Sequence, residues 1–168
     1  MLFEAFRRNL YERPDEAAFL IAAGDRSLPI SWRQFADDIS ALAWIIRKKS
    51  PSAVIGILGE NSYEWIVVHA AVVFSGAKAV SLDVNASAEE IAEMTAFVEA
   101  GVMVHSALYA EKAAEIARLR PKMIVRAFGS RINDSFVEEA RRQLENCEGG
   151  IFSQPPPDVK AVSMLIFT

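Results

Sequence analysis

Val54-Ile55-Gly56-Ile57-Leu58-Gly59-Glu60-Asn61-Ser62-Tyr63-Glu64-Trp65 is the stretch on which the reading of this chain turns. Its first five residues are short, apolar and rich in β-branching, as a strand buried on both faces requires. Gly59 bounds the run. From Ser62 to Ser75 the chain then has helical length, with Trp65, His69, Val72 and Val73 at helical spacing. A strand that runs straight into a helix opens a βαβ unit, because parallel neighbours need a crossover and a helix fills it.

The alternation continues downstream. Ala79 to Leu82 reads as the next strand, and Glu89 to Ala100 as a helix with Ile91, Met94, Phe97 and Val98 on its apolar side. Val102 to His105 is a third strand, and Leu108 to Leu119 an Ala-rich helix closed by Pro121. Lys122 to Phe128 gives a fourth strand, and Phe136 to Cys147 a helix with Phe136, Val137, Ala140 and Leu144 on one side. Upstream the pattern differs. Ala17 to Ala22, Gly24-Asp25 and Ser27 to Ile30 read as a small hairpin. A long helix follows from Trp32 to Lys49, its core face made by Phe35, Ile39, Leu42, Ile45 and Ile46. The fold class is therefore α/β: a mostly parallel sheet flanked by helices, with a small N-terminal hairpin. Residues 1–168 form one domain, and a Gly/Pro-rich linker at 149–160 precedes a final apolar strand ending at Thr168.

Helix starts are marked by side chains that can cap them. Ser31 with Gln34, Asn61 with Glu64, Ser87 with Glu90, and Ser135 with Glu138 each place a capping residue three positions before Glu or Gln. At that spacing the side chain reaches a free N–H of the first turn, worth about 1 kcal/mol per cap.

Composition narrows the function classes. A net charge of −4 argues against nucleic acid as the main partner, which selects for basic surfaces. The one cysteine, Cys147, excludes an internal disulfide and suits a reducing, cytoplasmic setting. Its acidic neighbours Glu145 and Glu148 disfavour a thiolate, so it reads as inert. The N-terminus lacks the order of a secretory signal, and the longest apolar segment, Trp65 to Gly76, is too short to span a bilayer.

Residues able to carry chemistry are few. Gly59-Glu60-Asn61-Ser62 follows a strand and opens a helix, where open α/β sheets bind ligands. Glu60 and Glu64 would repel a phosphate there, so a capped helix start is the better reading. Asp83-Val84-Asn85 follows the next strand, and a turn-forming pair is favoured over a base or metal ligand because no second carboxylate completes a site. His69 and His105 have no partner at metal-ligand spacing and read as core or rim residues. Trp32, Trp44 and Trp65 read as core anchors. The Glu138-Glu139 and Arg141-Arg142 blocks read as a solvated helix face.

Several passages nevertheless resemble the N-terminal portion of AMP-forming acyl-CoA synthetases, in the adenylate-forming ligase superfamily. Ile30-Ser31-Trp32-Arg33-Gln34-Phe35 resembles that family's Thr-Tyr-x-Glu-Leu helix start. The stretch from Val54 to Trp65 resembles its strand, Asn-Ser turn and helix, with wording most like long-chain fatty-acid CoA ligases. Ser75 to Asp83, followed by Glu89-Glu90-Ile91, resembles its next strand and helix, with Ser81 where the family usually has Pro. Met164-Leu165-Ile166-Phe167-Thr168 resembles the lead-in to its phosphate loop.

The resemblance implies a fold and a reaction. A carboxylic acid, with a fatty acid in that family's range, would be activated by Mg²⁺ and ATP as an acyl-adenylate and passed to CoA. It implies one site residue, Thr168, as a nucleotide-binding hydroxyl, and no catalytic or metal-binding residue. It also implies that residues 1–168 are the inactive front part of a larger enzyme. The apolar C-terminal strand, if its edge is exposed, separately suggests a dimer through that strand. A stand-alone α/β binding module and a nonribosomal-peptide adenylation domain are the alternatives.

Overall fold

The computed structural model describes residues 2–49, 53–129 and 164–165. Helix α1 (Leu2–Glu12) leads into an antiparallel hairpin of β1 (Ala17–Ala23) and β2 (Arg26–Ser31), turned at Gly24 with φ +62°. Helix α2 (Trp32–Lys49) follows. The remaining elements alternate: β3 (Val54–Leu58), α3 (Tyr63–Ser75), β4 (Lys78–Leu82), α4 (Ala88–Phe97), β5 (Val102–Ser106), α5 (Ala110–Leu119) and β6 (Ile124–Phe128), with β7 at Met164–Leu165. Strands β3 to β7 form one five-stranded sheet in the order β6-β5-β3-β4-β7, parallel throughout. The α/β architecture expected from the alternation is the one observed.

Two helix layers cover this sheet. Ile55, Ile57, Ala79, Val104 and Phe128 turn toward α2 and α3, where Phe35, Ile39, Leu42, Val67, Val68 and Phe74 are buried. Leu58, Val80, Leu82 and Met103 turn toward α4 and α5, packing on Ile91, Ala113 and Ile116. Successive strand residues thus point into different cores, which is why β3 carries no polar side chain. Gly56 meets the second core closely: a Cβ there would lie 3.0 Å from Leu82 Cδ1 and 3.5 Å from Met103 Cγ.

Helix α1 is an addition to the expected elements. It seats Phe6 edge-on against Trp32 and Phe74, with centroids 5.7 and 5.2 Å apart, and tilted against Phe35 at 5.2 Å. Phe19 from the hairpin joins the same aromatic cluster through Phe35 and Tyr63. One polar contact lies beneath it: the Tyr63 hydroxyl donates to Asp38 Oδ2 at 2.5 Å, and both side chains are buried.

Three expectations change in the structure. Helix α4 stops at Phe97 rather than Ala100, because Glu99 takes a left-handed conformation (φ +56°) and the Ala100 N–H closes on Thr95 O. Phe97, still inside α4, lies about 120° around the helix from the buried Ile91 and faces outward, at 84% exposure. Trp44 is likewise on the outer side of α2, more than a third exposed, so it is no core anchor. Helix α5 begins at Ala110, after a 3-10 turn at Ala107–Tyr109 that leaves Leu108 exposed. The expected helix Phe136–Cys147, its Ser135–Glu138 cap and the 149–160 linker lie outside the described residues.

Long basic side chains tie the helix ends. Arg47 donates to Phe74 O and Ser75 O at the end of α3, satisfying carbonyls that have no helical partner. Arg120 ties down the later turns of α4, donating to Ala92 O, Thr95 Oγ1 and, just past the helix, Ala100 O. Asp37 is the one described carboxylate held above its ordinary range, first by desolvation and then by the charge of Asp38, with Arg33 opposing.

A raised carboxyl pKa means that the folded chain holds this proton more tightly than the unfolded one. Asp37 therefore favours folding below about pH 3.8 and opposes it as pH rises through the raised value. The Asp37→Asn variant is expected to unfold at higher denaturant concentration than wild type at about pH 7, with the gain vanishing at about pH 3. Urea midpoints at the two pH values check this.

Candidate functional site

The strands of a parallel sheet all end on one edge, and in this protein that edge collects most of the polar residues singled out from the sequence. Glu60, Asn61 and Ser62 follow β3, Asp83 and Asn85 follow β4, and His105 and Ser106 end β5.

The turn after β3 is a helix start, as expected, but its cap is one residue later than the sequence spacing suggests. Ser62, in extended conformation, accepts from the Trp65 N–H at 3.1 Å, while Asn61 is exposed. The strand leaves the sheet late enough that Asn61 precedes the capping position. The other described caps stand where they were expected. Ser31 accepts from the Gln34 N–H at 3.2 Å. Ser87 and Glu90 complete a reciprocal capping box, at 3.1 Å and 2.7 Å.

Asp83 forms the expected turn. Its Oδ1 accepts from the Asn85 N–H at 2.8 Å and from Asn85 Nδ2 at 3.1 Å. Lys112, from α5, reaches over the same loop and donates to Val84 O and Ala86 O, both at 2.7 Å. The ammonium group is thereby committed to the loop's carbonyls.

Between β3 and β5 a second bridge forms. The buried Ser106 hydroxyl donates to Glu60 Oε2 at 2.5 Å. His105 is buried beside it, with Nδ1 2.9 Å from Ser106 O. His69 is not part of this edge. It stacks on Trp65, with centroids 5.1 Å apart and an interplanar angle of 15°. Desolvation holds its pKa below the usual imidazole value, so it sits on α3 as a neutral ring. Both histidines are thus packing residues.

Ser106, Lys112 and the contact of Gly59 with Phe128 were not singled out in the sequence. A glycine directly after a buried strand could have pointed to close approach. Ser106 and Lys112 carry no such signal, since their partners lie 46 and 26 to 28 residues away. Among the described residues no group of three or more His, Cys, Asp or Glu side chains could hold a metal ion. Thr168 lies outside the described residues.

Against known proteins, the family model for the AMP-binding enzyme matches residues 6–168. The chain belongs to the AMP-binding enzyme family. The family's adenylate-forming ligases share its fold at low sequence identity. Apo MatB from Rhodopseudomonas palustris superposes with a TM-score of 0.72 at 19% identity, over 99% of this chain and 32% of MatB. A protein assigned as a long-chain-fatty-acid CoA ligase, from Rhodopseudomonas palustris CGA009, gives 0.67 at 20% identity, over 99% of this chain and 38% of that one. The nonribosomal peptide synthetase FmoA3, bound to alpha-methyl-L-serine-AMP, gives 0.63 at 16% identity, over 76% of this chain and 14% of FmoA3. This chain thus spans between 14% and 38% of the length of these structures. No curated protein sequence matches it.

The two possible caps of α3 are separable by experiment. Ser62→Ala is expected to lower the unfolding free energy by about 1 kcal/mol, and Asn61→Ala by much less. Denaturant titration of both variants measures the difference.

Proposed function

We propose that the protein containing this chain is an ATP-dependent acid–thiol ligase that activates a carboxylic acid as an acyl-adenylate and transfers the acyl group to CoA. The observation that carries the reading is the family match over residues 6–168. The wording from Gly59 to Trp65 supports a CoA ligase acting on fatty acids, and the fold shared over 99% of the chain with a protein assigned to that class is consistent with it. In this reading ATP, Mg²⁺ and CoA belong to the whole enzyme, and residues 1–168 alone are inactive. The described residues supply scaffold. Their strand-end carboxylates and committed Lys112 do not fit a polyphosphate, so no chemical step is assigned to them.

Thr168 is the nucleotide-binding hydroxyl in this proposal, on the strength of the Met164–Thr168 wording. Strand β7 supports it in one respect: Met164 and Leu165 pair in parallel with Ala79 and Val80. The net charge of −4 disfavours nucleic acid as the main partner. The lone cysteine favours a cytoplasmic setting. Among the described residues no helix is long and apolar enough to cross a membrane. Among the described residues strand β7 ends the sheet order, which supports pairing of two copies at that edge.

A nonribosomal-peptide adenylation domain is the second reading, favoured by the fold shared with FmoA3 over 76% of the chain. ATP–pyrophosphate exchange by the natural protein that contains this chain distinguishes the two. Exchange driven by fatty acids, with AMP release on adding CoA, is the expected result. Exchange driven by amino acids alone would favour the second reading, and none with any carboxylic acid would contradict both. The 168-residue chain by itself is expected to give none.

A further inference from the structure

The strand order contains a reversal. From β3 the chain leaves through α3 on one face of the sheet, and from the adjacent β5 it leaves through α5 on the other. In open α/β sheets, strands that part this way leave a crevice between their carboxyl ends, and ligands bind there. Here the crevice would lie between Gly59-Glu60 after β3 and Ser106-Ala107 at the end of β5.

It is filled by the chain itself. Phe128, at the end of β6 and 2% exposed, reaches past β5 to the backbone of Gly59. A Cβ on Gly59 would stand 2.7 Å from Phe128 Cζ, closer than real Cβ contacts come, and 3.3 Å from Ser106 Cβ, a tight contact. Beside the ring, the 2.5 Å hydrogen bond from Ser106 to Glu60 ties the two strand ends together. Ser106, the hydroxyl donor on this side, is thereby taken up by an internal carboxylate. That carboxylate also opposes any phosphate brought close to it.

We propose that the reversal point of this sheet is sealed from within: Gly59, Glu60, Ser106 and Phe128 form a plug, and adenine nucleotide is not taken up between β3 and β5. The choice of nucleotide as the excluded ligand rests on the ligase reading; the plug itself rests on packing and one hydrogen bond. Glycine at position 59 is then a requirement of ring packing, and Phe128 is the residue that imposes it.

Two measurements test this. In the first, the ¹⁵N-labelled natural protein that contains this chain is titrated with AMP, and amide shifts are followed at Gly59, Glu60, Asn61, Ser106 and Ala107. These amides are expected to stay in place. A saturable shift at them would overturn the proposal. Saturable shifts confined to other amides support the plug, and the exchange assay tests the ligase reading separately.

In the second, Gly59→Ala is expected to lower the folding equilibrium constant about tenfold or more through overpacking. Phe128→Leu, which shortens the colliding side chain, is expected to reduce that penalty in the double variant. Additive losses would show that residues 59 and 128 do not pack as a unit, and would overturn the plug. If Gly59→Ala fails to fold, rescue by Phe128→Leu still decides the point, and the titration is independent of both variants.

Discussion

Everything in this molecule is arranged around the need to bury β3 on both faces. A parallel strand at the centre of a sheet has backbone partners on either side, here β4 and β5, and no face left for water. Ile55 and Ile57 on one side, and Gly56 and Leu58 on the other, must each find an apolar layer. Helices α2 and α3 supply one layer, α4 and α5 the other. The crossover connections that place these helices are the same ones that make the strands parallel. Burial and topology are therefore a single constraint. Gly56 shows its tightness, since a side chain there would press on Leu82 and Met103.

The polar contacts follow from that arrangement. Once two helix layers close over the sheet, helix ends and strand ends are brought near apolar surroundings, where an unpaired carbonyl or hydroxyl is costly. Arg47, Lys112 and Arg120 each meet carbonyls at such ends, and Ser106 finds Glu60. The result at the carboxyl edge is a set of loops tied to one another rather than an open cradle. This fits the family assignment in an unexpected way. An AMP-binding enzyme handles a nucleotide, yet these strand ends are satisfied internally and acidic. They serve as a fixed frame, and the proposed nucleotide chemistry is assigned elsewhere.

Much of this was readable before any coordinates. The strands from Val54 to Phe128 and the helices between them emerge from short apolar runs, helical spacing and caps, because buried parallel strands and capped helices leave those signatures locally. Trp32 to Lys49 agrees with α2 at both ends. What escaped depends on distance in sequence or on helical phase. Phe97 neighbours Val98 in sequence but lies about 120° around the helix from Ile91, and so faces outward. Asn61 has capping spacing, yet Ser62 occupies the capping position. The seal of Phe128 on Gly59 joins residues far apart in the chain, and no local pattern encodes it. The site reading was thinner than the fold reading for the same reason. Sequence patterns marked the carboxyl edge, whereas the bonds that occupy it are long-range.

Native-state hydrogen exchange tests the central place of β3 most directly. If the account holds, the amides of Ile55 to Leu58 exchange only through global unfolding, with a denaturant dependence equal to that of the whole chain, while those of the β1–β2 hairpin exchange through smaller openings. Exchange of the β3 amides as fast as that of the hairpin would contradict it.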